Sequence, residues 1–198
     1  MVAGTALSTN AVNAGNAAFC TPVQAQAVVD FWRQSSGHWF SKSARFDRAF
    51  RERFLALHEA AASGELAAWN DTPDGALALL ILLDQFPRNA FRGTARMYAT
   101  DATARRYARA ALAAGCMDEV EPALRLFFCL PFAHSEDRAD QDLSVELNSR
   151  LGSWTRSHAL GHRDIILRFG RFPHRNTLLQ RRTTPAEQAF LDSGGFAG

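Results

Sequence analysis

ALALLILLDQF, residues 76–86, decides how this chain folds. Positions 76–83 are apolar without exception, so a helix through them has no polar face to turn toward water. Thr72-Pro73 in front of it pairs an N-cap hydroxyl with a proline suited to the first helical turn. A helix that is apolar all round belongs in the middle of a fold, with other helices packed about it. The run is also far short of the roughly 18 to 20 residues that span a bilayer, so no membrane association is expected.

Outward from this stretch the pattern stays helical. Thr21-Pro22 and Thr184-Pro185 repeat the Thr-Pro punctuation, and Gln24 and Glu187 stand where they complete a capping box. Val28, Val29, Phe31 and Trp32 give one apolar face, and Phe46, Phe50, Phe54 and Leu57 give another, spaced by threes and fours. Asp101 opens a helix running through Tyr107 and Leu112 toward Gly115. Pro122 begins the next, with Leu124, Leu126, Phe127 and Phe128, and Pro131 kinks or ends it. Residues 140–158 read as one amphipathic stretch through Leu143, Leu147, Leu151 and Trp154, with a further helix over 160–169. No segment alternates as a strand would. The expectation is an all-α fold of about eight helices in antiparallel pairs, either a right-handed superhelical stack or an irregular bundle.

The chain has 198 residues with 47% hydrophobic content, enough for one sizeable core. Residues 21–198 are expected to form a single helical domain, and residues 1–20, without periodic apolar spacing, a flexible extension that makes a poor signal peptide. Twenty-two basic against 20 acidic residues leave a net charge of +2, too little for a whole-molecule attraction to nucleic acid. Lys42 is the only lysine; the basic side chains are otherwise arginine, the planar fork suited to carboxylate or phosphate. Cys20, Cys116 and Cys129 have no metal or redox spacing, and Cys116 and Cys129, in apolar surroundings, read as reduced core residues of a cytoplasmic protein.

One short string occurs twice. QFPRN at 85–89 is echoed by RFPHRN at 171–176, each after an apolar helix and each before an arginine-bearing loop and a capped helix. The two read as equivalent elbows. Around them the strings LLDQFPRNAFRG, LPFAHSEDRADQ and HRDIILRFGRFPHRN resemble the bacterial family of domains of unknown function numbered 924, over about residues 24 to 198. The resemblance implies a tetratricopeptide-like helical fold and implies no activity.

Charge is segregated near these strings. Arg168, Arg171, Arg175, Arg181 and Arg182 lie between Ile165 and Ala186 with no acid among them, a local +5. Glu136, Asp137, Asp140, Asp142 and Glu146 face only Arg138 between His134 and Glu146, a local −4. Two readings stay open. In one, the charges form a satisfied network that locks helices together; in the other, some arginine forks are left open toward an anion. For the second, the expected binding residues are Asp84, Gln85, Arg88, Asn89, Arg92, Arg171, His174, Arg175 and Asn176, and the ligand is a small anion or an acidic peptide. Asp84 at the end of an apolar helix needs a cationic partner, for which Arg88 and Arg171 are candidates.

If the chain is an enzyme, His134, Glu136 and His162 are the expected acid–base groups, with arginines holding an anionic substrate. His158 and His162, four apart, raise a metal site as an alternative, but HALGH lacks the Glu of a zincin helix and Gly161 argues for a break, so no metal or cofactor is expected. There is no GxSxG elbow, P-loop or GxGxxG. The sharpest expectation is geometric: Arg88, His134, His162 and Arg175 should line one cleft.

Overall fold

The computed structural model describes residues 21–198, so the expectation for residues 1–20 and for Cys20 lies outside the described residues. Every regular element among them is helical: α1 (Val23–Gln34), α2 (Ala44–Ser63), α3 (Pro73–Leu80), a π turn (Ile81–Gln85), α4 (Phe86–Ala90), α5 (Asp101–Ala113), α6 (Cys116–Glu119), α7 (Leu126–Ala133), α8 (Arg138–Leu151), α9 (Ser153–Phe169) and α10 (Pro185–Asp192). Helix α3, the π turn and α4 run on as one rod.

That rod is the centre. Leu77, Leu79, Leu80, Ile81, Leu82 and Leu83 have no exposed surface, and α1, α5, α6 and α7 all pack on α3 while α2 lies along α4. Helices α8 and α9 form a separate antiparallel pair joined to the rest through α7. The arrangement fits an irregular bundle. Aromatic rings fill the joint between α1 and α2, where Phe31 stacks on Phe46 and Phe50 and Trp32 meets Phe127 edge-on. None of the described helices is long and apolar enough to cross a membrane.

Two of the three Thr-Pro starts behave as expected. Thr72 accepts a bond from the Gly75 amide, and Thr184 and Glu187 close a complete capping box. At the first, Pro22 keeps an extended ψ of 140°, so α1 starts one residue later and Thr21 turns its hydroxyl to Thr72. Gly75 is obligatory for a packing reason: a Cβ there would stand 2.1 Å from the Trp69 carbonyl oxygen.

The boundary between α8 and α9 differs from the sequence expectation. The break falls at Gly152, whose φ of 148° other residues rarely adopt, and Gly161 sits inside α9 without interrupting it. The two Phe-Pro elbows are also not equivalent. The first continues a helix, because Pro87 lies within the rod; the second follows the left-handed Gly170 (φ 71°) and forms a tight 3₁₀ turn, Pro173–Arg175.

Pro87 explains the π turn. It offers no N–H to the Leu83 carbonyl four residues back and crowds it, and the chain widens there to i→i+5 bonding, with Phe86 N–H on the Ile81 carbonyl. Two carbonyls of the turn are bonded from other elements, Leu83 by the Thr100 hydroxyl at 2.6 Å and Leu82 by His58 Nδ1 at 2.9 Å, and Arg88, one turn further along the rod, donates to the Asp84 carbonyl at 2.7 Å. The wide turn carries Asp84 and Gln85, both buried, to the edge of a cavity.

Candidate functional site

The cavity lies between the rod, α7 and α9, closed on one side by the Pro173–Arg175 turn, and has a volume of about 440 Å³. Its walls are mainly apolar: Trp39, Met97, Leu126 and Leu130 line it, and the largely exposed Phe40 and Trp154 stand at its rim. Arg88, His134, His162 and Arg175 all border it, as do Gln85, Asn89, Arg92 and His174. Four separate segments therefore supply one chamber.

Asp84 sits beneath the chamber and anchors its floor. Its Oδ1 accepts from His134 Nδ1 at 2.8 Å and lies 3.1 Å from Arg88, and its Oδ2 accepts from Gln85 at 2.6 Å. Burial alone would raise its pKa, but the Arg88 charge and His134 overcome that and hold it at about 2, so the carboxylate stays ionised. A carboxylate oxygen can only accept, so Nδ1 of His134 carries the proton of this bond. The opposite ring nitrogen has no hydrogen-bond partner among the described residues. Burial, then the nearby Arg88 charge, keep the imidazole pKa below its usual value.

The two arginines of the floor differ in kind. Arg88 is spent: it makes a fork of bonds to Asp101 at 3.0 and 3.2 Å besides its contacts to Asp84. Arg175 makes no side-chain hydrogen bond to any described residue. Its guanidinium is stacked between Tyr98 and Phe172, 4.7 and 4.4 Å from the ring centres, and its nearest carboxylate, Asp101, is 3.7 Å away. Burial, then repulsion from Arg88, lower its pKa. A buried cation without hydrogen bonds is uncommon, because its desolvation is left uncompensated.

The histidines add to this deficit. Seven buried side-chain polar atoms among the described residues have no partner, and three belong to cavity residues: His162 Nδ1, His174 Nδ1 and Arg175 Nε. Burial, then the charge of His134, push His162 down to about 3; burial, then Arg175, push His174 down to about 4. Phe196 lies edge-on to both rings, with centroids 4.7 and 5.1 Å away.

Four expected site residues are placed otherwise. Asp84 supports the chamber without lining it. Glu136 is taken up by Arg181 at 2.7 and 3.0 Å and by the Phe172 amide at 2.9 Å, so it is not free for acid–base work. Arg171 does not reach Asp84; it grips Glu187 at 2.6 and 2.9 Å, fastening α10 to the turn. Asn176 is buried behind the turn against Glu187 and Arg181. Arg92 and Asn89 border the cavity but are both bonded to Asp47. The outer charges are thus taken up in pairs, and Arg175 has only the 3.7 Å ion pair to Asp101.

Tyr98 and Asp101 were not anticipated. Asp101 reads as a helix opener, and the cap proves to be Thr100, with Asp101 in the first turn where Arg88 meets it. His158, four residues from His162, packs at a tilt against Trp154, and no group of three His, Cys, Asp or Glu that could hold a metal occurs among the described residues. Burial raises both described cysteine thiols, Cys129 to about 12.

The geometry defines a class: an α-helical bundle around an apolar chamber with a charged floor. The chain belongs to the bacterial family of proteins of unknown function, domain of unknown function 924, whose model matches residues 28–195. It is similar to a solved structure of a protein of unknown function, ATU0120, from Agrobacterium tumefaciens. That likeness has 50% identity and a TM-score of 0.85, and covers 86% of this chain and 98% of that one. Comparison with curated proteins gives no match.

Proposed function

We propose that the chamber binds a small organic anion, its carboxylate or phosphate on Arg175 and its apolar body against Trp39, Met97, Leu126 and Leu130. The observation that carries this reading is the Arg175 guanidinium, buried, packed over two aromatic rings and without a hydrogen bond. Stacking fixes the plane of the fork in advance, so little entropy is lost when an anion meets it. A volume of about 440 Å³ suits a small molecule better than a peptide tail, since ligand cavities run from about 300 to 1,000 Å³. The free, buried Cys116 and Cys129 fit the reducing cytoplasm as the place where it does so.

The test is a thermal-shift titration with phenylacetate and phenyl phosphate, against toluene as the uncharged control. Native-state binding raises Tm, by an amount equivalent to about 2.7 kcal/mol at a hundredfold excess over Kd. The expected result is a shift with either anion that Arg175→Met abolishes. A shift with toluene alone, or one unchanged in R175M, refutes the reading.

A further inference from the structure

We infer that Asp84 and His134 are an acid–base pair and that the chamber hydrolyses esters of small apolar acids, whose carboxylate product is the anion proposed for Arg175. The inference rests on that reading and adds turnover to it.

The pair has the construction that such work requires. Asp84 is 1% exposed and is held in place by Gln85 and Arg88, so its carboxylate cannot swing away from the ring. The 2.8 Å bond fixes the tautomer, placing the proton on Nδ1 and leaving a lone pair on Nε2 of a ring that borders the chamber. Arg175, on the same chamber, supplies positive charge without a bond of its own to give up.

The other groups narrow the chemistry. Ser135 next in sequence donates to Asp140 at 2.6 Å and is buried. Cys129 is sealed in the core with its thiol pushed to about 12. The chamber wall holds no cysteine, and its one serine, Ser41, donates its hydroxyl proton to the His38 carbonyl at 3.2 Å, so the attacking group is water. Nε2 takes a proton from water as its oxygen bonds to the acyl carbon, and the carbonyl oxygen takes up negative charge beside Arg175. Asp84 stabilises the imidazolium. The acyl–oxygen bond then breaks, Nε2 returns its proton to the departing alkoxide, and alcohol and acid result. The acid is ionised at neutral pH and remains on Arg175 as a product inhibitor.

The experiment uses the full chain with para-nitrophenyl phenylacetate, read by release of nitrophenolate, with the phenylacetate thermal shift run in parallel. His134→Gln keeps a polar contact to Asp84, and circular dichroism checks its fold. Expected are hydrolysis above the buffer rate and competitive inhibition by phenylacetate. His134→Gln should lose roughly a hundredfold or more in kcat/KM, with phenylacetate binding retained. His38→Gln, at an exposed imidazole that does not line the chamber and reaches it only through its bond to Ser41, should change nothing. If phenylacetate binds but the ester is not turned over, or H134Q keeps the rate, the acid–base assignment falls and the anion reading stands. If phenylacetate does not bind, both fall.

Discussion

The two floor arginines should respond to the same substitution with opposite signs. Arg175→Met removes a cation that is 7% exposed and has no hydrogen bond, and keeps an unbranched side chain between Tyr98 and Phe172. Asp101 is not orphaned, because Arg88 still holds both its oxygens. Replacing a buried charge by an apolar side chain of similar reach is often neutral or stabilising by about 1–4 kcal/mol. The stacking lost is worth about 1 kcal/mol or somewhat more. R175M is therefore expected between no change and about 3 kcal/mol more stable, a rise in Tm of up to roughly 6 to 12 °C at about 2–4 °C per kcal/mol. Arg88→Met is the reverse. Asp84, 1% exposed, would keep only His134 and Gln85, and Asp101 only an arginine 3.7 Å away. Leaving buried carboxylates so exposed to desolvation costs about 3–5 kcal/mol. Urea unfolding followed by circular dichroism measures both. A loss of more than about 1 kcal/mol in R175M would mean that Arg175 is structural, and the reasoning for an open anion site would be wrong.

Mild acid should weaken the fold. His162 and His174 are held near 3 and 4 in the folded state against about 6.5 when unfolded, so only the unfolded chain takes up these protons between pH 6.5 and 5. Stability is complete above pH 6.5 and falls by about 2 kcal/mol per ring at pH 5; the doubly substituted His162→Gln, His174→Gln chain should show a flatter dependence in urea unfolding at the two pH values. Leu79→Ala, at a position with no exposed surface, should cost about 2–5 kcal/mol in the same assay. Gly75→Ala puts a methyl 2.1 Å from the Trp69 oxygen and should cost at least about 1–3 kcal/mol, visible as a lower Tm. Glu187→Ala removes its half of the α10 capping box and the tie of α10 to Arg171; amide exchange over residues 186–192 should quicken roughly tenfold or more while the α3 amides stay protected.

Much of the fold was legible because its signals are local. The Thr72 and Thr184 caps act over three residues, and the apolar run at 76–83 has only one place to go. The Gly152 break was missed because Leu147 and Leu151 continue the helical spacing straight up to it, and apolar spacing does not report φ. The π turn was missed for a related reason. Pro87 announces an interruption, but it is repaired by Thr100 and His58, which lie 17 and 24 residues from the carbonyls they bond.

The sequence by itself determined that this protein is a helical bundle with ALALLILL at its centre, and it singled out Arg88, His134, His162 and Arg175, which border one chamber in the packed structure. Which of those charges are free was decided by tertiary structure alone. On paper Glu136 is grouped with His134 and Asp84 looks to Arg88 or Arg171; in space Glu136 goes to Arg181, 45 residues away, and Asp84 goes to His134, 50 residues away, as well as to Arg88. Arg88 and Arg175 carry the same Phe-Pro signature, yet Asp101 forks onto the first and leaves the second at 3.7 Å. The physical reason is range. Caps and apolar periodicity are settled within a turn or two of chain, whereas the pairing of a charge depends on differences of an ångström between segments that only the packed bundle sets side by side.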